Sequence, residues 1–182
     1  MDTPFGRKES LNPNPGVIVE FIQAVVETPW PLGTEQPRNY FERLGCELGP
    51  SGGSDDETLL GVTRGAFVIP RIATINALWA AIDGSLFSLN FFTYANARNV
   101  ITAVDAGYDA VKNGLIGLYG QPLTEQKGPS AYRSADWAIR DTLVELYPHV
   151  LQAPMLQIGL CHRERNAAYE HRIAQSADRP RA

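Results

Sequence analysis

The sequence predicts a single α+β domain in which a mainly antiparallel sheet with a central hairpin packs against two N-terminal helices and one long central helix. Three observations carry that prediction. Apolar residues recur at helical spacing in two stretches, 15–27 and 96–118. Two runs rich in apolar and β-branched residues flank Asp83-Gly84, the dipeptide that a two-residue type I′ hairpin turn prefers. Near the C-terminus Leu156, Ile158 and Leu160 alternate with Gln157 and Gly159. A chain of 182 residues suits one domain and buries about 70% of its unfolded surface, so its core requires neither disulfides nor a metal.

Residues 1–14 hold Pro4, Pro13, Gly6, Arg7 and Lys8 without periodicity and read as a mobile arm. Asn14 then suits an N-cap and Pro15 the first helical position, with Ile18, Phe21, Ile22 and Val25 on one face, which predicts a helix over 15–27. Pro29 and Pro31 stop it around Trp30. A second helix, capped by Thr34, runs through Tyr40, Phe41 and Leu44 to a left-handed Gly45. Residues 49–57, GPSGGSDDE, read as an acidic loop. Strands follow at 59–69 and 72–82, and beyond the turn Phe87, Leu89 and Phe91 alternate with Ser88 and Asn90 as a half-buried strand.

Asn96 is the expected cap of the long helix, whose stripe is Ile101, Val104, Tyr108, Val111, Leu115 and Leu118. Gly107 and Gly114, seven apart, mark places where a neighbour approaches closely. Gly120 and Pro122 end the helix, and 124–134 reads as a polar loop. Residues 137–147 suit strands turning near Arg140-Asp141 or a helix capped by Ser134, and the alternation of Thr142, Val144 and Leu146 favours strands. Residues 164–175 carry no decisive pattern between strand and helix, and 176–182 read as a frayed tail, which leaves 15–175 as the domain.

Composition bounds the function. Twenty acidic against sixteen basic residues give a net charge of −4, unlike a dedicated nucleic-acid binder, which needs a basic surface. The apolar region 66–94 is interrupted by Pro70, Arg71, Asn76, Asp83, Gly84 and Asn90, so no membrane-spanning run is expected. The N-terminus has no signal-peptide pattern, and Cys46 and Cys161 make no disulfide framework, so a cytoplasmic location with reduced thiols is expected.

No strong catalytic motif is present. Gly49 to Gly53 matches G-x-S-x-G, but Ser51 leads into an acidic run instead of a helix that would complete an oxyanion hole. Asp55, Asp56 and Glu57 lack the alternating ligands of a calcium loop. Cys161 and His162 are adjacent, so on a strand they point to opposite faces and cannot form a nucleophile–base pair. His162 and His171 are nine apart, outside zinc spacing, and no phosphate-cradling glycine loop occurs, so no cofactor and no obligate metal is expected. Trp30, Trp79 and Trp137 read as core.

Charge is distributed unevenly. Residues 1–60 hold ten acidic and four basic residues, whereas 161–182 hold three acidic and five basic with two histidines. Such asymmetry suits recognition of a partner, with Arg7 and Lys8, Asp55, Asp56 and Glu57, and Arg163 and Arg165 as the candidate contact groups.

Trp30-Pro31, FERLG at 41–45, the central hairpin, LYGQP at 118–122, Trp137 and the paired apolar strands together resemble the immunity proteins of polymorphic secreted toxins, small actinobacterial domains. The resemblance spans about 17–162 and brings no catalytic residue. It implies a non-enzymatic cytosolic protein that binds and blocks a cognate toxin as a heterodimer, with NAD-glycohydrolase necrotizing toxins as one partner class. Two other classes stay open on the residues alone. One is a small hydrolase or ligand-binding enzyme using Cys161 to Glu164; the other is a secretion chaperone, homodimeric with a large apolar groove.

Overall fold

In the computed structural model, which describes residues 10–32, 37–52, 60–72, 74, 76–129 and 132–177, α1 (Pro15–Glu27) starts where the sequence requires. The Asn14 side chain accepts from the Gly16 N–H at 2.8 Å, and Ile18, Phe21, Ile22 and Val25 are buried. Residues 10–14 are not an arm: Pro13 is buried, its carbonyl accepts from the Tyr94 hydroxyl at 2.9 Å, and Leu11 packs on the core. In α2 (Pro37–Arg43) Tyr40 and Phe41 are buried. Gly45, at φ +67, closes the helix: its N–H bonds the Glu42 carbonyl and the Cys46 N–H that of Phe41, a Schellman ending. Thr34 lies outside the described residues.

One antiparallel sheet of eight strands follows: β1 (Glu47–Gly52), β2 (Val62–Val68), β3 (Asn76–Ile82), β4 (Ser85–Thr93), β5 (Thr124–Gln126), β6 (Ser134–Ile139), β7 (Thr142–His149) and β8 (Met155–His162). Their spatial order is β1-β2-β3-β4-β8-β7-β6-β5, so two four-stranded meanders meet where β4 pairs with β8. Asp83 and Gly84 both have positive φ (48° and 77°), as a type I′ turn requires. The second hairpin turns at Arg140-Asp141, resolving 137–147 as strands.

Helix α3 (Val100–Tyr119) crosses from the centre of the sheet to its β5 edge. With α1 it covers one face, burying Val104, Tyr108, Val111 and Leu115 against Phe91, Ile158, Leu160, Val144 and Leu146. Both glycines admit close neighbours: a Cβ at Gly107 would run into the Tyr94 ring, and one at Gly114 would lie 2.7 Å from Val19. The three tryptophans are buried in this layer, and Trp30 Nε1 donates to Thr142 Oγ1 at 2.8 Å. The ring of Trp30 stacks on Tyr40.

Several expectations are corrected. Residues 49–52 are edge strand, not loop; a bulge between Leu48 and Ser51 accommodates Pro50, which lacks a ladder donor, and Gly49 fits against Ala66 where a Cβ would have 3.1 Å. The long helix starts at Val100, because Tyr94 at φ +67 makes a turn with Ala97 and the chain is not yet helical at Asn96. Ile101 and Leu118, at the ends of its stripe, overhang the sheet and are exposed. Residues 124–126 form a strand within the expected polar loop. A bulge opposite Ala80/Ala81 reverses the phase of β4, so Leu86 joins Leu89 and Phe91 in the main core while Phe87 faces the other side with Ala80 and Ile82. Residues 163–177 are helical, α4 (Arg163–Ala177), so Arg163 and Arg165 sit in a first helical turn, and the expected tail at 176–177 continues the helix. Among the described residues no helix is long and apolar enough to cross a membrane.

Candidate functional site on the open sheet face

Helices α1 and α3 cover one face of the sheet, whereas α4 covers only one end of the other. Its Tyr169 ring lies 4.8 Å from that of Phe87, and the Tyr169 hydroxyl accepts a hydrogen bond from Arg64. Arg165 clamps the start of α4 to the Leu86 and Pro31 carbonyls (2.7 and 2.8 Å), and Arg172 ties its far half to Asp83 (2.7 Å) and the Leu60 carbonyl (2.8 Å). Beyond α4 the face lies open. Register and strand alternation place there Val68, Leu78, Asn90, Phe92, Asp136, Glu145, Tyr147, His149 and Gln157.

A line of polar side chains crosses the centre of this face. His149 Nε2 meets Gln157 Oε1 at 2.7 Å, Gln157 donates to Asn90 Oδ1 at 3.3 Å, Asn90 donates to Ser88 Oγ at 2.8 Å, and the Cys161 thiol donates to the same hydroxyl at 3.6 Å. These bonds hold the Asn90 side chain beside Gly159, its register partner. Glycine is required there, because Glu145 Oε2 and Asn90 Oδ1 close over its position: a Cβ on Gly159 would lie 2.9 Å from the first and 3.3 Å from the second.

Two carboxylates lie on the strands beside β8. Asp136 and Glu145 are directly opposite on β6 and β7, an arrangement that destabilises a sheet when both are charged. Thr124 donates to Asp136 Oδ2 at 2.6 Å, Asp136 Oδ1 is buried, and the Tyr147 hydroxyl interacts with this carboxylate. Burial raises the Glu145 carboxyl above its ordinary range, and the neighbouring charges of Asp136 and Glu170 raise it further. Burial, then the charges of Glu145 and Asp136, push the Tyr147 hydroxyl up to about 12. Toward the β7–β8 turn, Phe92, Pro148, His149, Leu151, Met155 and Gln157 line an open groove of about 490 Å³, in which Leu151 is 76% exposed.

The residues expected from the sequence are not gathered here. Arg7, Lys8, Asp55, Asp56 and Glu57 lie outside the described residues. Arg163 is exposed and donates to the Arg140 carbonyl at 3.2 Å, whereas Arg165 is half-buried in its clamp. Cys161 and His162 do point apart. Cys161 faces Ser88 with its thiol raised to about 11 by burial, while His162 packs edge-on against Trp30 and accepts from the Arg165 N–H at 3.4 Å. Burial, then the nearby Arg165 charge, lowers the His162 pKa. Ser51 is exposed on edge strand β1.

Asp136, Glu145 and Tyr147 were missed, although Glu145 and Tyr147 occupy the alternate positions of a strand whose other positions are apolar. Gly159, a glycine inside an apolar strand, was a second available signal. Among the described residues no three His, Cys, Asp or Glu side chains converge as metal ligands. A second cleft, of about 340 Å³ between α3 and β5, is lined by charges already paired with one another: Lys112 and Lys127 with Glu125, and Arg133 with Asp105 and Asp109. Comparison of the chain with models of protein families, with curated proteins and with solved structures finds no match.

Proposed function

We propose that this chain is a non-enzymatic immunity protein, which binds a cognate protein toxin in the cytosol of the producing cell and blocks it by docking it on the open sheet face. The observation that carries the reading is the make-up of that face. A surface held rigid by an eight-stranded backbone ladder carries apolar side chains left out of the core beside the carboxylate of Glu145, whose charged neighbours among the described residues are acidic. A rigid surface loses little conformational freedom on association, which favours tight binding. Six strands about 4.8 Å apart, each presenting roughly 17 Å of length, offer about 500 Å² of projected area. The outer surface of α4 and the β7–β8 turn complete the roughly 800 Å² that each side of a stable complex contributes. The hydrolase reading has less support, because Cys161 and His162 lie on opposite faces and the thiol is held protonated by burial.

Co-expression of the full chain with the toxin domain encoded beside it tests the proposal. Restored growth together with a one-to-one complex on size-exclusion chromatography is the expected result. Continued killing without a complex overturns it, and so does a homodimer that leaves the toxin active.

A further inference from the structure

We infer that His162 is a pH switch for α4: as a neutral imidazole its side chain caps the helix and holds it on the sheet, and protonation releases the capped turn and uncovers the apolar patch beneath. The device lies within this chain and holds whatever docks on the open face.

Strand β8 runs into α4 without a loop, so the free N–H groups of the first helical turn need acceptors at once. The Arg163 N–H finds the Asp141 carbonyl at 2.8 Å, and the Arg165 N–H finds His162 Nδ1 at 3.4 Å. His162 immediately precedes the helix and Arg165 is its third residue, the spacing at which an N-cap side chain accepts. Only a neutral imidazole fills that place, because an imidazolium carries a proton on both ring nitrogens and has no acceptor left. Protonation therefore sets one N–H against another and adds a positive charge at the positive end of the helix dipole.

The groups around the ring separate the two states. Trp30, from the connection between α1 and α2, packs edge-on against it at 5.9 Å and leaves that side apolar. Arg165, on α4 itself, opposes a charge on the ring, whereas Asp141, from the β6–β7 turn, and Glu164 favour one and draw a charged ring off the cap. Arg163 turns away to the Arg140 carbonyl. Burial and Arg165 prevail, so the folded ring titrates below the unfolded value of about 6.5; the cap is complete above that value and is lost as pH falls through the folded one.

The rest of α4 depends on that turn. Arg165, whose N–H the cap fixes, is the residue whose guanidinium clamps the helix to the Leu86 and Pro31 carbonyls. Tyr169 is the side chain of α4 packed on Ala80, Ile82 and Phe87, so freeing the first turn gives this small buried cluster access to solvent.

The test follows the histidine ring signals and the backbone amide exchange of the full chain by nuclear magnetic resonance between pH 4 and pH 8, with exchange corrected for its intrinsic pH dependence. The amides of residues 165–172 are expected to lose protection about ten-fold with the midpoint at which His162 ionises, while those of β3 and β4 keep theirs. His162→Asn supplies a capping oxygen that does not titrate, and its α4 protection should stay level. Unchanged α4 protection as His162 ionises, loss of sheet protection at the same midpoint, or an identical fall in His162→Asn overturns the inference. The titration of the parent chain decides by itself if the variant fails to fold.

Discussion

Gly107 and Gly117 lie on the same helix, and the structure assigns opposite signs to their replacement by alanine. In a helix interior alanine is favoured over glycine by about 1 kcal/mol, which is the whole effect at Gly117, exposed and with nothing within 4 Å of a Cβ. At Gly107 the same gain is opposed. The new methyl would collide with the Tyr94 ring, with Cδ2 at 2.7 Å, and Tyr94 cannot retreat easily because it is buried and its hydroxyl is bonded to the Pro13 carbonyl. Overpacking of this kind costs about 1–3 kcal/mol and loss of the buried hydrogen bond about 1 kcal/mol more. Gly107→Ala is therefore expected to lose about 1–3 kcal/mol net, and Gly117→Ala to gain up to about 1 kcal/mol. Urea unfolding followed by the fluorescence of the buried tryptophans measures both. A Gly107→Ala protein as stable as the parent would refute the close-packing argument, and a destabilised Gly117→Ala would refute the propensity argument.

Trp30→Phe removes the donor to buried Thr142 and is expected to cost about 1–3 kcal/mol, read from the urea midpoint. Asp83 is held below its ordinary range first by its hydrogen bond to Arg172, so its contribution is present above the unfolded value of about 3.9 and is lost as pH falls through the folded value. Asp83→Asn keeps a favoured turn dipeptide but gives up that contribution, so it should lack the acid limb, match the parent at low pH and be slightly less stable than the parent at pH 7. Glu145 behaves oppositely. Its folded pKa is raised, so the parent loses stability as pH climbs from the ordinary glutamate value of about 4.3 through the folded one, and Glu145→Gln should be more stable than the parent at pH 7. Melting curves across pH 3–8 check both.

The sequence made the helix-covered side legible because that side obeys simple periods. Asn14-Pro15, Gly45, Asp83-Gly84 and the paired glycines of α3 each have one local solution, and the structure contains it. Helix α4 was illegible for a physical reason: Tyr169 is its main apolar contact, and the helix is otherwise held by Arg165 and Arg172 reaching backbone carbonyls and Asp83, which leaves no apolar stripe to read. The bulge at Phe87 was equally hidden, since alternation assumes an unbroken pleat. The grouping of Asn90 with Gly159 and Glu145 escaped because it forms only when β4 pairs with β8, which is far from it along the chain.

The seam between β4 and β8 has a consequence for how the chain reaches this structure. Within β1–β4 and within β5–β8 each strand pairs with its neighbour in sequence, so each meander can zip from local turns. Joining them brings Ser88 to Cys161, 73 positions apart, across the whole of α3. Closing a loop of that length carries an entropy cost that local pairing avoids, and it is recovered only when Leu89 and Phe91 meet Leu160 and Ile158 beneath α1 and α3. The topology predicts two local assemblies followed by a slower docking step, to be read as two phases in refolding. Until that step is complete, both half-sheets expose a strand edge in the middle of the future core, the interval in which the chain is most open to pairing with another copy of itself.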